Sequence, residues 1–286
     1  QAIDYYKQAL SVRTQEAMPV EWAQTLSKLA TAYSDRIRGD RAENIEQAID
    51  YCQQALSVRT KDALPVGWAG TMRNLAIAYK ERILGDRAEN IEQAIDYYQQ
   101  ALSVRTQEAM PVEWATTLME LASAYYFRIR GDRAENIEQA IDYYQQALRV
   151  QTETAMPVEW ALTMHNLGSA YYKRIRGDLV DNIEQAIAAC KSSLKVFTPE
   201  LSPNNYRNTA RSLGYSYSEQ QRWQDAIQPT RANASSPVAV CIPSVTSKKK
   251  ITRKSPRRLN LCRSPLTCPL YACSAISCNT RMLNRY

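Results

Sequence analysis

One histidine, two phenylalanines and eight scattered glycines stand among the 286 residues of this chain. A single imidazole excludes most metal-ligand sets and most nucleophile–histidine constellations, so neither a metal, a cofactor nor an enzymatic activity is expected. The glycines form no phosphate-cradling loop, and no small-molecule substrate is implied. No apolar run approaches the roughly 18 residues that a membrane span needs. None of the seven cysteines stands in a Cys-x-x-Cys spacing. Without a disulfide framework a reducing cytoplasm is the expected compartment. Acidic residues are missing altogether after Asp225, where 11 lysines and arginines remain. The other 25 basic residues face 29 acidic ones, so the high pI belongs to the last segment and the rest is mildly acidic.

What is present is repetition. The stretch Arg-Ala-Glu-Asn-Ile-Glu-Gln-Ala-Ile-Asp-Tyr-Tyr-Gln-Gln-Ala-Leu at 87–102 returns at 41–56 and 133–148, in a weaker copy at 179–194, and truncated at 1–10. The full copies are 46 residues apart. A fixed period of this size signals stacked supersecondary units, each burying its apolar face only against its neighbours.

Each unit holds two helical patterns. In residues 20–38, Trp22, Leu26, Leu29, Ala30, Tyr33 and Ile37 fall on one apolar stripe. Pro19 suits a helix entry, Gly39 a left-handed stop, and Arg36 and Arg38 the negative end of the dipole. A second helix is expected to be capped by Asn44, with Gln47 reaching back, and to bury Ile45, Ala48, Ile49, Cys52, Ala55 and Leu56. Cys52 and Cys190 occupy a position that holds Tyr98 and Tyr144 in sister copies, which reads as a buried apolar site. The Arg-Gly-Asp tripeptides beginning at Arg38, Arg130 and Arg176 read as helix punctuation, since the second unit has Leu84 in place of the arginine.

The expected organisation is an array over residues 1–228, with a partial unit at 1–40, units at 41–86, 87–132 and 133–178, and a last one at 179–228. In its final portion a short second helix is expected at Trp223–Ile227, stopped by Pro229. Residues 229–286, rich in Ser, Pro, Arg and Cys, lack periodicity and are expected to be a disordered basic tail. Two readings stand for it. Residues 248–258, Lys-Lys-Lys-Ile-Thr-Arg-Lys-Ser-Pro-Arg-Arg, form a nucleic-acid or anionic-surface patch. Alternatively the tail is out-of-frame text after a shift near Gln228, which the coding DNA would reveal.

Leu121, Ala122 and Tyr125 in the first helix, with Ala140, Tyr144 and Ala147 in the second, resemble the tetratricopeptide repeat. The resemblance implies an all-α, right-handed solenoid of antiparallel hairpins with a groove lined by first helices, and a role in holding other proteins. The usual period of about 34 residues is lengthened here in both loops. Tyr217 to Ala226 keeps the standard separation of nine. The wording Trp-Ala-x-Thr and Arg-Ile-x-Gly-Asp-Arg-Ala-Glu-Asn-Ile-Glu-Gln-Ala-Ile is also similar to long-period cyanobacterial arrays that precede caspase-like (CHAT) domains. His165 sits inside a repeat helix, so no such peptidase activity is expected of this chain.

Copies compared with one another locate the variation. Second helices are nearly identical, whereas first helices differ in the columns headed by Gln24, Ser27, Thr31, Ser34 and Asp35. These columns bring Met119, Tyr126, Phe127, Leu162 and Tyr172 together with Arg73, Lys80, His165 and Lys173. Aromatics, Met and Arg are what interface cores enrich, so these nine residues are the expected partner-binding groove, taking a peptide or helix of another protein. Nucleic acid is expected only through the tail, and self-association only through uncapped ends.

Overall fold

A computed structural model describes the backbone of residues 1–232 and the side chains as far as residue 222, all within one compact unit, Gln1–Ser236. The basic tail beyond residue 232 and all side chains from Trp223 onward, those around the expected frame shift included, lie outside the described residues.

Ten helices and no strand occur among the described residues: α1 (Ala2–Val12), α2 (Pro19–Ser34), α3 (Arg41–Leu56), α4 (Pro65–Glu81), α5 (Arg87–Leu102), α6 (Pro111–Phe127), α7 (Arg133–Ala147), α8 (Pro157–Tyr172), α9 (Leu179–Leu194) and α10 (Pro203–Ala232). Each helix packs on its sequence neighbours, and first helices also touch one another (α2 with α4, α4 with α6, α6 with α8, α8 with α10). The result is an all-α solenoid. It can exist because every second helix turns the same stripe inward: Ala48, Ala94, Ala140 and Ala186 are fully buried, as are Ile45, Ile91 and Ile137. Each such isoleucine contributes about 1.5–3 kcal/mol, and the alanines let neighbouring backbones approach.

Helix ends follow a different grammar from the expected one. The second helices start four residues before Asn44: the N-caps are Asp40, Asp86, Asp132 and Asp178, and the first three accept from the amides of Glu43, Glu89 and Glu135 at 2.8–2.9 Å. Asn44 is instead buried, donating from Nδ2 to the Arg38 carbonyl (3.0 Å) and accepting from Arg36 at Oδ1 (3.2 Å). It staples the loop rather than capping the helix, because a side chain already inside the first turn points at the preceding loop. First helices also end earlier, at Ser34 rather than near residue 38, which leaves Ile37 98% exposed and off the buried stripe. Gly39, Gly85, Gly131 and Gly177 have φ of +81° to +85°, so the glycine serves the loop between helices.

The Arg-Gly-Asp tripeptides are thereby accounted for residue by residue. Asp is the cap, Gly supplies the left-handed turn, and Arg130 and Arg176 pair with Glu89 and Glu135 of the preceding unit. A second ladder runs beside it: Arg82, Arg128 and Arg174 make bidentate contacts of 2.7–2.9 Å with Glu46, Glu92 and Glu138, again one unit back. Two-pronged pairs of this kind fix the orientation between units more firmly than single surface contacts.

The fifth unit is not a hairpin. Residues Pro203–Ala232 form one continuous helix, so the second helix expected at Trp223 is absent as a separate element. Ser218-Glu-Gln-Gln-Arg222 offers neither glycine, proline nor a left-handed position at which to turn, and helix-forming residues continue the helix.

One buried position separates two otherwise similar units. Tyr98 and Tyr144 occupy the same register and are 0% and 2% exposed. Ser123 offers Tyr144 a hydrogen-bonding hydroxyl, whereas the matching residue in the preceding unit is Ile77 and the Tyr98 hydroxyl has no hydrogen-bond partner. Tyr144→Phe should therefore destabilise by about 1 kcal/mol, while Tyr98→Phe, which deletes an unsatisfied buried group, should be neutral or stabilising by up to about 1 kcal/mol. Urea midpoints of the two variants decide it; equal losses would show that the two hydroxyls stand in equivalent environments.

Candidate functional site

The variable face of the first helices resolves into two surfaces. The column headed by Ser27 is a seam between successive first helices. Ser27 Oγ meets Thr71 Oγ1 at 2.9 Å, Arg73 grips Glu120 through Nε (2.8 Å) and Nη2, Asn166 Nδ2 donates to Met119 Sδ at 3.7 Å, and His165 Nδ1 meets Thr209 Oγ1 at 3.1 Å. Met119 is 8% exposed and belongs to the core. Burial pulls the His165 pKa below the usual imidazole range, so the ring stays neutral in the seam. The sequence expectation that Arg73, Met119 and His165 stand on open wall is corrected by this geometry: adjacent first helices lie against each other, and a residue at this position reaches across. Two of its partners, Glu120 and Asn166, differ from unit to unit, whereas Thr71 and Thr209 belong to a column that is threonine throughout.

The remaining candidates are spread unevenly. Leu162 is half-buried against the core, and Phe127 is 55% exposed with its ring edge-on to Tyr126 (4.9 Å, 90°). Lys80 is half-buried, and burial lowers its pKa. Tyr126, Tyr172 and Lys173 are brought together. They line a cleft of about 340 Å³ with Gly168, Ser169, Ser212, Tyr215 and Ser216, so that α6, α8 and α10 each contribute a tyrosine. Arg133 stands 5.4 Å over the Tyr126 ring and donates to the Tyr126 carbonyl; Lys173 Nζ stands 5.0 Å over the Tyr172 ring. Burial raises the pKa of both Tyr126 and Tyr172, so both remain neutral donors.

Why the cleft opens here is legible in the fourth unit. Gly168 replaces the alanine of Ala30, Ala76 and Ala122; its backbone lines the floor, and the methyl it lacks would have pointed at α9. Leu179 replaces the arginine of Arg41, Arg87 and Arg133, each of which donates to the last turn of its first helix, so no guanidinium closes over the Tyr172 carbonyl. Tyr215, Ser212 and Ser216 were not singled out from the sequence. The signal for Tyr215 was its column, where an aromatic replaces Thr31, Ile77, Ser123 and Ser169.

Room for one large side chain, three phenol rings, three serine hydroxyls and a lysine at the lip suit capture of an apolar side chain with a polar flank. No group of three or more His, Cys, Asp or Glu that could hold a metal ion occurs among the described residues. Cys52 and Cys190 are buried and free, and burial pushes their thiols up to about 12 and about 11. No described helix is long and apolar enough to cross a membrane.

Comparisons with known proteins agree with this architecture. Residues 22–61, which span α2, α3 and the loop between them, match the family model described as tetratricopeptide repeat. Among solved structures, the crystal structure of BtubC (BKLC) from P. vanneervenii is similar with a TM-score of 0.55 at 16% identity, covering 88% of this chain and 95% of that one. At that identity the likeness speaks for the fold alone. The curated proteins give no match. Matching unit and repeated helices together support a tetratricopeptide-type repeat protein.

Proposed function

We propose that this tetratricopeptide-type array is an interaction scaffold that holds a segment of another protein on its first-helix face, with the cleft between α6, α8 and α10 as the principal seat. Tetratricopeptide repeats generally mediate protein–protein contacts. The observation that carries the specific reading is the convergence of Tyr126, Tyr172 and Tyr215, from three successive first helices, on one cleft with Lys173 at its lip. Rigid aromatic rings over a cavity are what binding hot spots consist of, and the lysine favours a carboxylate on the flank of the anchor. Phe127 extends the apolar surface next to Tyr126. The similarity of its long-period wording to arrays that precede caspase-like domains supports reading the scaffold as the recognition part of a larger protein, and the free, buried Cys52 and Cys190 suit a reducing cytoplasm.

The test is a random-peptide display selection against the full chain, followed by affinity measurements on the selected peptides. Tyr126→Ala and Tyr172→Ala should each weaken binding at least tenfold, as hot-spot truncations do, with helicity unchanged. Glu108→Ala, on an exposed loop, should leave binding intact. Peptides that bind both tyrosine variants as they bind the parent would refute the assignment of the cleft.

A further inference from the structure

We infer that the bare face of α4 around Gly67 and Gly70 is an oxyanion site, taking a phosphate or carboxylate group between the guanidinium groups of Arg59 and Arg105. It lies apart from the tyrosine cleft and does not depend on it.

The second unit is unusual in what it omits. Position 67 holds glycine where the other first helices carry Glu21, Glu113, Glu159 and Asn205, and position 70 holds glycine where they carry Gln24, Thr116, Leu162 and Asn208. Three residues apart on one helix, the two glycines lie on the same face and leave a half-buried strip of backbone without side chains, with Arg59 packed against it at residue 67. The space their side chains would fill is bounded by guanidinium atoms from the two flanking loops. Arg59 Nε would stand 3.3 Å from a Cβ on residue 67, and Arg105 Nη2, the sole neighbour within 4 Å, would stand 3.5 Å from one on residue 70.

Neither arginine is matched by a carboxylate. Arg59 shares Nη1 among three neutral acceptors, Ser27 Oγ, the Gly67 carbonyl and Thr71 Oγ1, at 3.3–3.4 Å. Arg105 is only 9% exposed; its Nη1 donates to Thr117 Oγ1 at 3.0 Å, and its Nε, also buried, has no hydrogen-bond partner. The nearby Arg73 is already neutralised by Glu120. Burial lowers the pKa of both Arg59 and Arg105, and at Arg105 it outweighs the opposing pull of Glu120 and Glu113, neither of which is paired with it. At the later junctions the same loop position carries Gln151 and Phe197, so the pairing of two cations with a missing acid is particular to α4. A buried cation without a counter-charge is costly, and a planar guanidinium offers a two-pronged face to an oxyanion. An anion seated over the glycines would meet one such face from each side.

The competing reading is that the glycines exist only to make room for the arginines, and a single substitution separates the two. Gly67→Glu restores the acid found in three of the other units and delivers a carboxylate to Arg59 from within the chain. Isothermal titration of the full chain at fixed ionic strength, with inorganic phosphate in one arm and glutarate in the other, should show saturable binding of at least one probe. The arm that responds tells a phosphate ligand from a carboxylate one. Gly67→Glu and Arg105→Gln should each lose at least tenfold in affinity for that probe while circular dichroism stays unchanged; Arg59→Gln serves if either variant fails to fold. The inference is overturned if neither probe saturates, or if the folded variants bind as the parent does, since the basic stretch 248–258, identical in all of them, would then be holding the ion.

Discussion

Gly168→Ala should destabilise the chain by about 1–2 kcal/mol, although alanine is the better helix former by about 1 kcal/mol. A Cβ at this position would lie 2.9 Å from Cys190 Sγ, 3.2 Å from the Ala186 carbonyl oxygen and 3.3 Å from Ala189 Cβ. The thiol is fully buried and the carbonyl belongs to the α9 backbone, so relief requires the two helices to part. The cysteine alone is not the obstacle, because the first unit combines Ala30 with Cys52. What differs is Ala189, which stands where Tyr51, Tyr97 and Tyr143 stand. In the earlier units those tyrosines pack on Tyr33, Tyr79 and Tyr125 as tilted ring pairs with centroids 5.3–5.5 Å apart, a pair that the fourth hairpin lacks. Adding Cys190→Ala to the variant should recover part of the loss and leave the backbone contact uncorrected. Chemical denaturation of the three proteins checks this. A stabilised Gly168→Ala would mean that helix propensity outweighs the close approach, and that the packing of the fourth hairpin is looser than the distances state.

Removing the Glu120 carboxylate should cost about 2–3 kcal/mol, the low side of the range for breaking a buried pair, because Arg73 keeps a quarter of its side chain exposed. In Glu120→Ala the Arg73 guanidinium is left in the seam between α4 and α6 with Arg105 and Lys80 as neighbours and without the one carboxylate that acts on it. Replacing both partners together, Arg73→Met with Glu120→Leu, should restore most of the stability, since an apolar pair of similar volume needs no desolvation of charge. The coupling from the double-mutant cycle is the quantity to measure. A Glu120→Ala loss below about 0.5 kcal/mol would place the pair with ordinary surface ion pairs and remove it from the seam.

The parts of this structure that could be read in the sequence are those that every unit must repeat. Ala48, Ile45 and Ile49 recur at helical spacing because each faces the same neighbours, and repetition makes the inward stripe visible. Asn44 misled because its residue type suits a cap, although Asp40, four residues earlier, does the capping and leaves the asparagine to staple the loop. Ile37 misled because a periodic pattern does not reveal where the helix stops. Met119 is the most instructive case. Variation among copies marked its column correctly as free of a common constraint, but a surface groove and a seam with co-varying partners both permit variation. Only the partner one unit ahead, as Arg73 has Glu120 and Met119 has Asn166, tells them apart. Tyr126, Tyr172 and Lys173 do share a cleft, yet its floor depends on Gly168, whose meaning lies in α9 rather than in its own helix.

The division of one variable helix face into a closed seam and an open cleft is tested most directly by photo-crosslinking. A benzoylphenylalanine placed at position 172, and separately at position 119, is irradiated in complex with a display-selected peptide. Adduct formation from position 172 and none from position 119 is the predicted result, since Tyr172 lines the cleft and Met119 is buried against Asn166. Adducts from position 119, or none from position 172, would contradict it.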